Sequence, residues 1–507
     1  MMDQLSGRLS RLESRLRQDM EWLKLPLKPW VKSRRLEGRH VYDVVVVGGG
    51  MCGLTATAKL KLSGITNIVT LDRQPMGWEG PWATYARMRT LRSPKDLTGP
   101  ALGLPALTYR AWHEAIFGAD SFAALGKIDR LAWMDYLRWY RQAMDLDIRN
   151  EISVDRIGYA GDRLLDVRTS GENADAPGPS LLARRVVLAT GRDNVAAKLV
   201  PDFMRGIDGR FWAHSTQMID WPSLAGRTVI VVGAGASAMD NAAHALEHGV
   251  GRVEILFRRP DIPRVNKFTG IESPGTTLGF VDLPDEQKWR FLLHATQAQV
   301  PPPRESVLRV SRHANAGFHP SSPVESVTMD GEGLLLRAGG NIFRADFILL
   351  GTGFVNDGAV QAELAEFAPN ILRWSDVRSP GPGQTGIQLA ESPYLGRGFE
   401  FMEKVDGATP GLDLIHCFNF AANLSHGKVA GDIPAVSDGA CRLVDWIARA
   451  FFREDADAHF ADLMAFETPE LLGDEWRAAD CGRQDHGAAS TASGYETQNE
   501  PRGGIRT

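Results

Sequence analysis

The chain has 507 residues, 43% hydrophobic and 23% charged, and a formal net charge of −5 at pH 7. That length asks for two or three domains, and the mild acidity gives no basic surface for nucleic acid. No apolar run is long enough to span a bilayer, and the cysteines Cys52, Cys417, Cys441 and Cys481 form no C-x-x-C pair, which excludes a disulfide-reducing centre of that type.

Residues 1–39 read as a basic helical extension. Leu5, Leu9, Leu12, Leu16, Met20 and Leu23 fall at helical spacing with arginines between them. The pattern predicts a helix packed on its own body, with dimer packing or membrane-surface contact as the lesser alternatives. Pro26 and Pro29 end it. Charge throughout this segment, without the apolar core of a signal peptide, leads us to expect a cytoplasmic location. "VYDVVVVGGGMCGLTATAKL" then predicts a buried strand, a tight turn and a helix. Gly48 permits the turn, Gly50 lets a pyrophosphate approach the backbone, and Gly53 lets helix and strand pack closely. Free N–H groups at the helix start favour the phosphates. Gly64 should end the helix, and the next strand, "NIVTLDR", closes on Asp72, placed to hold a ribose hydroxyl. Strand, turn, helix, strand and acid in this order predict a dinucleotide site, with the unphosphorylated ribose suiting FAD. Cys52, inside the turn, reads as a small structural thiol.

Residues 73–112 are rich in Trp, Arg and Pro and irregular. A helix is expected at about 129–146, burying Trp133, Leu137 and Tyr140. Strand Val186–Ala189 leads into Thr190-Gly191. The glycine turn returns in "RTVIVVGAGASAMDNAAHALEHG", with Gly233, Gly235, Ser237 and Ala238 at the phosphate turn. The following strand ends on Arg258 and Arg259, which suit a 2′-phosphate and so NADPH; the plainer reading is a solvated strand end. A long Pro-containing insertion is expected over about 260–322; His313 and His319 read as loop residues apart from carboxylates, and no metal site is expected. Strand-like runs at 324–350 end in Gly351-Thr352-Gly353. Two strand-to-Thr-Gly segments thus bracket the second turn, and Gly191, Gly351 and Gly353 would let the chain pass close to both cofactors. The expected fold is α/β: two Rossmann-like dinucleotide-binding domains, the NADPH domain (206–340) inserted into the FAD domain (40–205 and 341–460). The polar tail, 480–507, is expected to be disordered.

The phrases "GGGMCG", "LATG", "GAGASA" and "LLGTGF" resemble the FAD- and NADPH-dependent single-component (class B) flavoprotein monooxygenases over most of 40–450. That family holds the flavin-containing, amine N-hydroxylating and Baeyer–Villiger monooxygenases. "FWAHSTQMIDWP", with Gly209 before it, is similar to the family fingerprint and implies cofactor contacts at His214 and Ser215. "GWEGPWATYARMRTLRSPKDLTGP" resembles the flavin-contacting stretch of the amine N-hydroxylases, which implies contacts at Trp78, Gly80 and Met88. Arg89 stands where those enzymes usually have glutamine, and the lysine matching Lys95 lies in their substrate pocket. Both are candidates at the reaction centre. The glycine-glycine-threonine-tryptophan segment of Baeyer–Villiger enzymes is not found. The resemblance implies that NADPH reduces the flavin and that a C4a-(hydro)peroxyflavin passes one oxygen of O2 to a small organic substrate, at nitrogen or sulfur. The alternatives are Baeyer–Villiger oxidation of a ketone, an NADPH oxidase or reductase without oxygen transfer, and a non-catalytic flavin-binding module; a homo-oligomer is compatible with any of them.

Overall fold

Val44–Val47 are apolar at every position because the strand they build is covered on both faces: none is more than 8% exposed. The computed structural model describes residues 2–171, 177–192, 196–356, 362–378 and 387–479. In it, strand Arg39–Val47 lies inside an eight-stranded sheet in the order Ile148–Arg149, Ile68–Leu71, Arg39–Val47, Pro177–Leu188, Leu164–Ser170, Ser153–Gly161, with Arg34–Leu36 and Ile415–Cys417 pairing off this path. Arg39–Val47 runs parallel to Ile68–Leu71 and to Pro177–Leu188. A parallel pair needs a crossover, and helix Met51–Leu62 supplies the first one. Gly64 follows the helix at φ +76°, as expected for its terminator.

A second sheet is parallel throughout, ordered Ala316–His319, Arg252–Leu256, Thr228–Val232, Phe347–Leu350, Trp212–His214. Helix Ala236–Glu247 is its glycine-turn crossover, and helix Arg304–Ser311 packs beside it. The antiparallel strands Val324–Asp330, Gly333–Ala338 and Asn341–Ala345 follow. All of these lie in the chain between Pro177–Leu188 and Ile415–Cys417, which pair with each other in the first sheet. The two connecting segments pair too: Ala196–Lys198 runs antiparallel to Phe354–Asn356. Leu199 N–H donates to Gly353 O at 3.1 Å, and Thr352 Oγ1 donates to Leu199 O at 2.5 Å.

Three sequence expectations need correction here. The boundary between 340 and 341 cuts the second sheet, because Phe347–Leu350 pairs with Val229–Val232. The insertion stops short of 322: Ala316–His319 is an edge strand of that sheet, four residues long and interrupted by Gly317, which gives it no clear strand pattern in sequence. His319 is on that strand and bonds Glu254 Oε2 at 2.7 Å, so it is neither in a loop nor apart from a carboxylate.

The N-terminal helix Met2–Trp22 buries Leu12 and Leu16 in the main core, with Leu9 and Met20 packed against it. The aromatic helix Arg130–Ala143 buries Trp133, Leu137 and Tyr140. The long helix Val436–Glu454 closes the first sheet, and at its end the fully buried Arg184 bonds Asp455 Oδ2 at 2.9 Å and Glu454 Oε2 at 3.0 Å. A separate unit begins at Asp457, within helix Ala456–Ala465. The expected disordered tail and Cys481 lie outside the described residues. Among those described, no helix is long and apolar enough to cross a membrane.

Candidate functional site: two glycine turns

At the first turn the backbone conformation selects the residue. Gly48 has φ +102°, and a Cβ there would stand 2.6 Å from Ala189 O. A Cβ at Gly53 would meet Gly48 O at 1.8 Å. Gly50 is different: a Cβ there would make only an ordinary contact, 3.7 Å from the Gly80 backbone, and a cavity lies beside it before the helix N-terminus. That opening, bare N–H groups and a helix dipole together suit a pyrophosphate. Asp72 is held at the strand end by its neighbours: Gly49 N–H donates to Oδ2 and Gln74 N–H to Oδ1, each at 2.7 Å. Burial raises its pKa, and the two N–H donors pull it back. A carboxylate has about four lone-pair sites, so room remains for a ribose hydroxyl.

The second turn repeats the geometry with the methyl group moved. Gly233 has φ +116°, and its Cβ would stand 2.5 Å from Gly351 O. Here the helix carries Ala238, and the facing residue is Gly351, whose own Cβ would meet Ala238 Cβ at 2.5 Å. In the first turn the helix carries Gly53 and the facing residue is Ala189. Each contact tolerates one methyl, on opposite sides. Gly235 is open, with no atom within 4 Å of its Cβ direction. Ser237 lies in the first turn of the helix that follows. At the end of strand Arg252–Leu256, Arg258 is exposed, whereas Arg259 Nη2 donates to Gln297 O at 2.7 Å. Arg258 is therefore the better placed for a 2′-phosphate, and Arg259 braces the segment after the strand.

The two Thr-Gly segments meet behind these turns. Gly191 and Gly353 have φ +71° and +86° with open space beside them. Asn419 Nδ2 donates to Leu188 O at 3.2 Å and to Thr190 Oγ1 at 3.3 Å, joining the late chain to the first crossing. His214 has no exposed surface; its Nε2–H donates to Gly353 O at 3.0 Å and its Nδ1 accepts from Thr216 Oγ1 at 2.9 Å. Both ring nitrogens have partners within the chain, so His214 pins the crossing. Ser215, also buried, donates its N–H to Leu350 O.

Residues 77–89 form a strap away from the first turn. Gly80 faces Gly50. Trp78 is half-exposed, and Met88 O accepts from Arg130 Nε at 3.0 Å. Glu79, Arg138 and Arg141 were not anticipated. Arg138 Nη2 donates to Gly77 O at 2.6 Å, and the buried Glu79 accepts from Arg141 at 2.9 Å and from Asn150 at 2.7 Å. A cavity of about 220 Å3 lies among Gly49, Gly50, Met76, Glu79, Arg138 and Arg141. The available signal was two arginines one turn apart on a helix whose other face is aromatic.

Both reaction-centre candidates have other partners. Arg89 Nη2 bonds Glu247 Oε1 at 2.8 Å, at the far end of the second glycine-turn helix. Lys95 Nζ donates to Phe122 O and Ala123 O, each at 2.9 Å, and stands 5.0 Å from the centroid of the Phe122 ring. Carbonyls ending a short helix attract the ammonium there. Cys52 is buried beside the Gly431 backbone with its thiol pushed up to about 12, as befits an inert thiol. Among the described residues no group of three or more His, Cys, Asp or Glu could hold a metal ion.

The model of the family described as pyridine nucleotide-disulphide oxidoreductase matches residues 45–272, which hold both turns. A FAD-dependent urate hydroxylase of Xanthomonas campestris pv. campestris is 36% identical over 472 residues, covering 92% of this chain and 98% of that protein. Among solved structures, an ornithine hydroxylase from Pseudomonas aeruginosa aligns with a TM-score of 0.63 at 17% identity, over 81% of this chain and 99% of that one. An ornithine N-hydroxylase of Kutzneria sp. 744, with reduced FAD, NADP+ and L-ornithine, aligns at 0.60 and 15% identity, over 81% and 99%. Two glycine turns, one on a mixed sheet and one on a parallel sheet, and a relative matched along nearly the whole chain place this protein among the FAD- and NADPH-dependent single-component flavoprotein monooxygenases.

Proposed function

We propose that this chain hydroxylates a planar, nitrogen-rich heterocycle of the urate type, using NADPH and O2. The observation that carries the reading is the 36% identity to the urate hydroxylase, sustained over 92% of the chain. The site supports it: Lys95 is spent on two backbone carbonyls, so it does not offer an amino-acid carboxylate its partner.

FAD fits the first turn, where Gly50 leaves the pyrophosphate space and Asp72 closes the strand, and NADPH fits the second, where Gly235 is open and Arg258 exposed. When bound, the flavin takes two electrons from NADPH and lets O2 give one atom to substrate and the other to water. The chain's own residues bind, orient and exclude water. Glu79, Arg138 and Arg141 fix the turn facing Gly50. His416 and His426 are kept neutral by burial, which lowers them to about 4 and about 3, so they carry no charge at neutral pH. On this reading the FAD domain comprises 40–205 and 351–456, and the NADPH domain the chain between them.

The test is turnover under 18O2 with urate, L-ornithine, cadaverine, a sulfide and a ketone. Urate should stimulate NADPH oxidation and yield a product carrying one 18O. A labelled hydroxylamine from an amine would move the reading to N-oxygenation. Peroxide matching NADPH with every compound, and no labelled product, would make the protein an oxidase.

A further inference from the structure

We infer that Arg309 is a positioning residue for the reduction of FAD by NADPH, latching the strap at the first glycine turn to the helix of the second. The proposal concerns the step before oxygen transfer and stands whichever substrate is oxygenated.

The connection can be followed bond by bond. Gly80 faces Gly50 across the first turn. Thr84 Oγ1 donates to Gly80 O, and Arg87 Nη1 donates to Thr84 O, each at 2.8 Å. Arg309 Nη1 donates to Arg87 O at 3.2 Å. The same guanidinium grips Glu247 with a fork, Nε to Oε1 and Nη2 to Oε2, both 2.9 Å. Its Nη1 also lies 3.4 Å from Asp240 Oδ1, which accepts from Ser306 Oγ at 2.6 Å. Asp240 and Glu247 share one side of helix Ala236–Glu247, the helix that starts at Gly235. One arginine thereby holds the strap and the second helix together. Arg89 adds an outer tie to Glu247, and on the other side Arg130 holds Met88 O and Trp82 O.

The side chain of Arg309 is 2% exposed and that of Asp240 7%. A buried ion pair is often no more stabilising than apolar residues in its place, and its best-attested use is to fix register. Register matters here because NADPH passes a hydride, one proton with two electrons, to FAD; a solvent proton completes FADH2 and NADP+ is left. Such a transfer falls steeply with misplacement, and a 1 Å error costs on the order of 100-fold. The two turns belong to different sheets, so something must set the distance between them, and the Arg309 guanidinium spans the two, its fork on Glu247 and its Nη1 on Arg87 O.

The experiment uses the FAD-loaded protein and two variants. Arg309→Lys keeps the charge but loses the planar fork. Arg89→Ala removes only the outer tie. In anaerobic stopped-flow, Arg309→Lys should lower the limiting rate of flavin reduction by about 10–100-fold, with NADPH affinity within about threefold. Arg89→Ala should lower it by about twofold to fivefold, the yield of a pair at the exposed rim. FAD content and reduction by dithionite should not change. In protein stripped of FAD, amide hydrogen exchange over 81–92 should quicken for Arg309→Lys. A lower melting temperature with an unchanged reduction rate would show a merely structural bridge and overturn the proposal. If Arg309→Lys does not fold, an unchanged rate in both Arg89→Ala and Glu247→Gln overturns it equally.

Discussion

At the scale of single residues, the turns were readable because their constraint is local. Gly48 and Gly233 need positive φ, and Gly53 needs its missing Cβ, whatever the rest of the chain does. Gly50→Val would fill the opened space, and we expect the purified variant to lose FAD while its circular dichroism stays native; full occupancy by absorbance would place FAD elsewhere. Arg258→Ala should weaken NADPH binding by roughly 10–100-fold, the worth of one charge-assisted bond, and leave NADH nearly untouched. Titration with both nucleotides decides it, and equal losses would remove the 2′-phosphate assignment. Lys95→Met should keep kcat/KM and coupling while lowering the melting temperature by a few degrees, since it removes two bonds to helix-end carbonyls; loss of coupling at an unchanged melting temperature would return Lys95 to the reaction centre. The roles of Arg89, Lys95 and His214 were not legible in sequence. Their partners, Glu247, Phe122 O and Gly353 O, are 158, 27 and 139 positions away, and no local pattern announces a contact of that kind.

At the scale of elements, period and apolarity located the glycine-turn helices and the aromatic helix. They missed Ala316–His319, whose four half-buried residues alternate weakly. The segment around 396–426 held a further surprise in two buried histidines. His416 Nδ1–H donates to Gly398 O at 2.7 Å, and His426 Nε2–H donates to Gly396 O at 2.8 Å while its ring stacks on Phe399 at 3.7 Å. Burial lowers their pKa from 6.5 to about 4 and about 3. Below pH 6.5 the unfolded chain therefore binds protons that the folded chain refuses, so stability falls as pH drops toward 4. Asp43 has the opposite sign: burial raises it to about 6, and its contribution is lost as pH rises through that value. Two histidines outweigh one aspartate, so the urea midpoint should fall between pH 6.5 and 4. His426→Phe should flatten that slope by roughly 3 kcal/mol across the window. A midpoint independent of pH, or one rising on acidification, would contradict the buried neutral assignment.

At the scale of the whole molecule, two Thr-Gly segments flank the second turn in sequence, and the structure adds that the strands following them, Ala196–Lys198 and Phe354–Asn356, pair with each other. How far the inner sheet extends was not legible, since Phe347–Leu350 is as apolar as a strand of either sheet would be. The nesting has a consequence for synthesis on the ribosome. The inner sheet takes its last strand at Leu350, whereas the outer sheet waits for Ile415–Cys417 and for helix Val436–Glu454. Helix Met51–Leu62, buried over ten of its twelve residues, is made early and covered late. At about 5–20 residues per second, its apolar surface stands uncovered for tens of seconds while the inner sheet, begun later, is already complete. Nascent chains stalled near residue 400 should therefore resist protease over 212–350 and be cut within 40–190, which makes the earliest part of the chain the one most in need of a chaperone.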